Sequence, residues 1–272
     1  MNRDDIINVL IERGYAAEGH DVTKNGVIFK GILIQDKPAI CPVIYTEKII
    51  RDSSSLKDAV DTVIDIYESN KEFGAQIIID DLNDPEWILD HITIGLQKTS
   101  DEDLVKRPCD LEGMEQYLIL SGGSSEDGCY SIKVTPALLS NVCIDEVLAW
   151  NIAIEHLCND TQIVSLGKVM ADMMETPYDS SMDAEAKFHV ITNSQKYKGA
   201  ACILNRKALR AFTQSYDTNM LFVIPSSIHE MMIAPYDSRF NLEELSAMVK
   251  EINETQVAPE ERLTDRAYIL SL

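Results

Sequence analysis

Four side chains able to do chemistry fall within five residues of one another: Ser226, Ser227, His229 and Glu230. In a hydrolase such a set would supply a nucleophilic hydroxyl, a general base and an acid to orient that base. Two features of the spacing weigh against this chemistry. Successive residues of a strand point to opposite faces, so His229 and Glu230 would diverge. No G-x-S-x-G elbow presents either serine. In the plainer reading the serines bond to backbone groups of a turn, and His229 or Glu230 bonds to a neighbouring strand. The plainer reading is favoured. The hydrolase alternative needs a distant acid or base in the same cleft, such as His20, His91 or Glu155.

Other chemistries find less support. Six cysteines stand at 41, 109, 129, 143, 158 and 202 with no C-x-x-C pair, and no H-x-x-x-H or H-E-x-x-H spacing occurs. Reduced thiols in or near the core are therefore expected, with no metal centre and no cofactor. The glycine-rich stretch Ser121–Gly128 lacks the G-x-x-x-x-G-K-[ST] spacing and leads into no helix, so it reads as a hairpin loop rather than a phosphate cradle. Paired acids such as Asp80-Asp81 and Glu260-Glu261 could hold a divalent ion, but in so acidic a chain a solvated face is the simpler account.

The charge is the strongest bulk signal. The chain of 272 residues carries 45 Asp and Glu against 24 Lys and Arg, a formal net charge of −21. Nucleic-acid binding needs Lys and Arg to displace counterions from phosphates, so direct binding is not expected. Part of the excess keeps the surface soluble. The sharper expectation is a protein partner that is itself basic. Residues 80–115 are the most lopsided stretch, with eleven acids against Lys98, Lys106 and Arg107. Asp80, Asp81, Asp84, Glu86, Asp101, Glu102 and Asp103 form the candidate acidic face. No apolar run reaches the roughly 20 residues of a membrane span, and Met1-Asn-Arg-Asp-Asp5 has no signal-peptide character, so a cytoplasmic setting is expected.

The elements that must position these residues are legible in part. Asn2 and Asp5 frame a first helix that Gly14 stops. Asn25-Gly26 joins two strands in a tight hairpin, and a third strand runs from about Ala39 to Tyr45. Ser55 and Asp58 open a helix with its apolar stripe at Leu56, Ala59, Val60, Val63 and Tyr67. Residues 75–79 fit either a strand or a helix. A short helix over 87–91 precedes a strand over 92–97, and strands over 116–120 and 130–134 flank the glycine-rich loop. The helix from Asp145 to Leu157 spreads Val147, Leu148, Trp150, Ile152 and Ile154 around its circumference, which predicts burial on more than one side. Further helices are expected over 165–174, 207–216 and from Asn241, the last with Glu244 completing a capping box. Paired strands are expected at 188–191 and 200–204, a strand pair at Met220–Ile224 and Met231–Ala234 around the polar corner, and a final strand at 266–270. Hairpins mixed with isolated amphipathic helices make this an α+β chain. It reads as a single domain over 1–272, with two closely packed halves, 1–120 and 129–272, as the variant organisation.

Several stretches also resemble a known family. Lys24-Asn25-Gly26 and Pro42-Val-Ile-Tyr45 carry the likeness near the N-terminus. Gly199-Ala-Ala, Pro225-Ser-Ser-Ile-His-Glu230, Val249-x-x-x-Asn253 and Gln256-Val-Ala-Pro-Glu260 carry it near the C-terminus. Over essentially its whole length the chain resembles the bacterial, phage and mobile-element proteins grouped as a domain of unknown function, DUF5688. Where that family shows Pro-His before Asp-Leu, this chain has Pro108-Cys109-Asp110-Leu111. The resemblance implies one shared architecture, a cytoplasmic setting and a link to phage or mobile elements. It implies no reaction.

Overall fold

The computed structural model describes residues 1–35, 43–70, 81–124, 128–179, 183 and 187–272. The expectations at 75–79, and for the start of the strand at 39–42, lie outside these residues. The chain divides into two compact units, Met1–Asp84 and Pro85–Leu272. Among the described residues no helix is long and apolar enough to cross a membrane.

The first unit opens with α1 (Arg3–Glu12). Asn2 accepts the Asp5 N–H while Asp5 accepts the Asn2 N–H, a reciprocal box of the kind typically worth about 1 kcal/mol. Strands β1 (Ala17–Lys24), β2 (Val27–Ile34) and β3 (Val43–Tyr45) form an antiparallel meander. Asn25 and Gly26 turn the first hairpin with φ of 49° and 81°, the left-handed pair that a two-residue loop demands. Helices α2 (Thr46–Asp52) and α3 (Leu56–Asn70) follow. Ile6, Leu10, Ile32, Val60 and Val63 share one core with the sheet.

The second unit holds two antiparallel sheets. After α4 (Pro85–His91), β4 (Ile92–Lys98) pairs with β6 (Met114–Ser124), whose other edge takes β5 (Lys106–Pro108) and β7 (Gly128–Lys133). Of the glycine-rich stretch, residues 121–124 extend β6 and pair with β7, which Gly128 opens. Helices α5 (Pro136–Asn141) and α6 (Glu146–Asp160) lead to β8 (Thr161–Ser165), α7 (Leu166–Met173) and β9 (His189–Asn193). A 3-10 turn over Gly199–Leu204 and α8 (Arg206–Gln214) precede β10 (Met220–Pro225) and β11 (Met231–Pro235). Helix α9 (Leu242–Thr255) and β12 (Tyr268–Ser271) close the chain, and the second sheet runs β12-β10-β11-β9-β8. This is the expected α+β architecture. Helix α9 lays Leu245 and Val249 on Phe222 and Ile224 of β10.

Three local expectations are corrected. Residues 200–204 form a 3-10 turn, not a strand. The run Ala200-Ala-Cys-Ile203 is buried, and burial alone does not separate the two conformations. Helix α6 is not buried all round. Its inward stripe is Ala149, Trp150, Ala153 and Leu157, and it leaves Val147, Leu148 and Ile154 exposed. At α9 the Asn241 side chain accepts from the Glu243 N–H, without the reciprocal bond expected of Glu244.

Candidate functional site

The polar corner is the five-residue loop between β10 and β11, closed by the Pro225–Met231 pair. Residues 226–230 lie beyond the paired strands, so strand alternation does not govern where His229 and Glu230 point. Hydrogen bonding does. The Ser227 N–H donates to the Glu230 carbonyl at 3.2 Å, and the His229 N–H donates to Ser227 Oγ at 3.0 Å. This serine therefore faces the backbone of His229 and not its ring. The ring accepts the Lys198 N–H at Nδ1 (3.1 Å), which leaves its proton on Nε2, within 3.4 Å of Glu261 Oε1. Both ring nitrogens of His229 are thus engaged by groups other than Ser226, Ser227 or Glu230.

The loop is tied on three sides. Thr192 Oγ1 donates to the His229 carbonyl at 2.8 Å, the Ala200 N–H to Ile228 O at 3.3 Å, and the Ile228 N–H to Glu261 O at 2.8 Å. Gly199 makes this closeness possible. A β-carbon there would stand 2.4 Å from Thr192 Oγ1, 2.6 Å from the Asn193 nitrogen and 2.9 Å from the His229 carbonyl oxygen. Further along, the buried Asn253 donates its amide to Thr264 O and Asp265 Oδ1 at 3.3 and 2.7 Å, pinning α9 to the segment before β12.

A cleft of about 220 Å³ opens beside the Gly199–Leu204 turn, where β4, β9 and α6 pack against it. Ile92, Ile94, Leu157 and Ala201 supply apolar lining, and Asp90, His91, His156 and Asp160 supply acceptor groups. The Nδ1 of His91 lies 2.8 Å from the Trp87 carbonyl and that of His156 lies 2.8 Å from the Ile92 carbonyl. A carbonyl has no proton to give, so both Nδ1 atoms are donors and each neutral ring keeps a bare Nε2. Cys202 also lines the cleft, but burial pushes its thiol up to about 12, so it is no thiolate nucleophile at neutral pH. Among the described residues no three His, Cys, Asp or Glu side chains group as a metal ion requires.

The chain matches the model for the Family of unknown function (DUF5688) over residues 4–271. It belongs to that family. Neither the curated proteins nor the solved structures returned a match. In this DUF5688 chain the C-terminal stretches that carried the resemblance have traceable places. Gly199 packs against the His229 carbonyl, the Ala200 N–H donates to Ile228 O, Glu261 lies beside them, and Asn253 anchors the following helix. Cys109, which stands where a histidine was expected, is partly buried, and burial raises its thiol pKa.

The other sequence-predicted residues of the DUF5688 chain are dispersed. Asp80 lies outside the described residues. Asp81 and Asp84 end the first unit, while Glu86, Asp101, Glu102 and Asp103 belong to the second. Asp84, Glu86, Asp101 and Asp103 are exposed, whereas Glu102 turns inward onto Lys133. That ion pair joins a network the sequence does not announce. Lys133 donates to Gln97 at 3.0 Å, and Gln97 and Ser100 donate to the buried Glu115 at 2.9 and 2.8 Å. Lys106 completes it at 3.4 Å. Burial pushes Glu115 up, but these donors and the Lys106 charge outweigh it and hold the carboxyl below its ordinary range. His20 is exposed on β1, Glu155 is exposed on α6, and only His91 of the three distant candidates lines the cleft. None of residues 226–230 lines it.

Proposed function

We propose that this DUF5688 protein is a non-enzymatic binding or regulatory protein whose negative surface engages a basic protein partner. The observation that carries the reading is charge that cannot be neutralised internally. The second unit holds 29 Asp and Glu against 15 Lys and Arg, so at least 14 carboxylates have no cation of their own unit to pair with. Glu86, Asp101 and Asp103 are the members of the predicted face that this unit exposes, with Asp101 and Asp103 on either side of the inward Glu102. Such a field steers and selects a partner of opposite sign more than it adds raw affinity. A nucleic-acid-handling protein has the complementary surface, because its phosphate-binding face is rich in Lys and Arg. A phage or mobile-element setting for such a pair is part of this proposal, in keeping with the resemblance noted in the sequence.

Against the hydrolase reading stand the engaged nitrogens of His229 and the backbone role of Ser227. The test is retention of host proteins on the tagged chain at low and at high salt, followed by titration of the purified partner. A basic, stoichiometric partner that weakens as salt rises, and weakens further with Asp101→Asn plus Asp103→Asn, is expected. Affinity indifferent to salt, or no basic partner, would overturn the reading.

A further inference from the structure

We infer that the cleft between α6, β4 and the Gly199–Leu204 turn is a receptor for a guanidinium group, supplied by an arginine side chain of the basic partner. The source of the arginine rests on the function proposed above; the chemistry of the cleft does not. At about 220 Å³ the space far exceeds the roughly 10–15 Å³ that admits one water, and it is large enough to take a side-chain end. Its polar lining is rich in acceptors. Asp90 and Asp160 bring carboxylates, and His91 and His156, with Nδ1 committed to backbone carbonyls, bring two bare Nε2 atoms in their neutral forms.

The backbone adds to the same sign. Helix α6 is 15 residues long and ends at Asp160 with no basic residue in its last turn, so the negative end of its dipole falls beside His156 and Asp160. Asp160 uses one oxygen to accept the Ser194 N–H at 3.2 Å. Lys198 is the cation of the lining and donates its ammonium to Tyr117 Oη at 3.3 Å, so two carboxylates stand against one ammonium. An organic cation is therefore the ligand whose charge fits.

Shape separates the guanidinium from other cations. The acids and imidazoles do not converge in threes, so they do not close on a single metal ion. A planar group with five N–H donors spread over a fork can reach separate acceptors, which a compact ammonium cannot. The methylenes behind it would lie along Ile92, Ile94 and Leu157.

The experiment titrates the full isotopically labelled chain with arginine amide at low salt, with citrulline amide as the neutral isostere and lysine amide as the compact cation. Saturable shifts confined to His91, His156 and Asp160 are expected, with both controls about tenfold weaker or more. Asp160→Asn, which keeps an oxygen for the Ser194 N–H, should weaken arginine amide about tenfold, while Asp101→Asn should leave it unchanged. Equal binding of citrulline amide, unsaturable shifts scattered over surface carboxylates, or an inert Asp160→Asn would overturn the site. If the partner is retained but the cleft ignores arginine amide, this inference fails and the proposed function stands. If arginine amide binds in the cleft and no basic partner exists, the site stands and that function fails.

Discussion

Gly199→Ala is the sharpest probe of whether the 226–230 loop is a clamp or a catalytic device. The new methyl would meet Thr192 Oγ1, the Asn193 nitrogen and the His229 carbonyl at 2.4, 2.6 and 2.9 Å. Two of these three are backbone atoms held in β9 and in the loop, so they cannot simply rotate away. Overpacking of this kind costs about 1–3 kcal/mol. The loop can escape only by moving off the turn, which stretches the Thr192–His229 and Ala200–Ile228 hydrogen bonds at about 1 kcal/mol each. The sum is about 3–5 kcal/mol, a large part of the stability of an ordinary domain. Ser227→Ala removes one part-buried bond, from the His229 N–H, and should cost only about 1 kcal/mol. Urea unfolding followed by Trp fluorescence reads both, since Trp150 and Trp87 both lie in the second unit. The clamp argument is wrong if Gly199→Ala unfolds at the wild-type midpoint, or if Ser227→Ala is the more damaging change.

Three further expectations concern titratable groups that differ in burial. His189 packs edge-on against Phe212 at 4.8 Å, and burial lowers its pKa despite the Lys187 carbonyl and the Asp183 charge. The unfolded chain therefore binds this proton first, so stability present above about pH 6.5 is lost as pH falls through the lower folded value. His189→Phe should flatten that slope of Tm against pH, and an unchanged slope would count against it. Lys106→Met should cost about 1–3 kcal/mol at pH 7 by depriving Glu115 of its cation. Because Glu115 is depressed when folded, its stabilisation is lost as pH drops below about 4.3, and the gap between mutant and wild type in denaturant midpoints should close there. Finally, peptide mapping after iodoacetamide treatment at pH 8 should show exposed Cys143 alkylated in the folded protein and Cys202 alkylated only after unfolding.

Much of the fold was legible because its signals are local. The Asn2–Asp5 box, the Asn25-Gly26 turn and the Asn241 cap each depend on a few neighbouring residues, and each is where the pattern puts it. Helix α5 shows a signal overlooked: Thr135 caps and Pro136 takes the first helical position, a standard start. Helix α2 had no such mark, since Tyr45 makes no side-chain cap. The inward side of α6 does not follow its large apolar residues, because two of the four residues in its buried stripe are alanines. Ala149 and Ala153 are fully buried because the chain packs close, while Val147 is more than half exposed. The network around Glu115 escaped because it joins residues 97 to 133 through strand pairing that charge composition does not encode.

The contrast between the three imidazoles explains why crowding in sequence was a poor guide to chemistry. At the corner, residues close in sequence satisfy one another: Ser227 serves the His229 backbone, and the His229 ring is spent on Lys198 and Glu261. A loop that must hold its own shape has little hydrogen-bonding capacity left for a ligand. His91 and His156 stand 65 positions apart, each fixed at one nitrogen by a backbone carbonyl and each lining the same cleft. One nitrogen anchored and the other bare is the condition for recognising a donor, because the ring is oriented without being consumed. That condition is met where β4, α6 and the Gly199–Leu204 turn come together, and it is a product of the fold rather than of any motif.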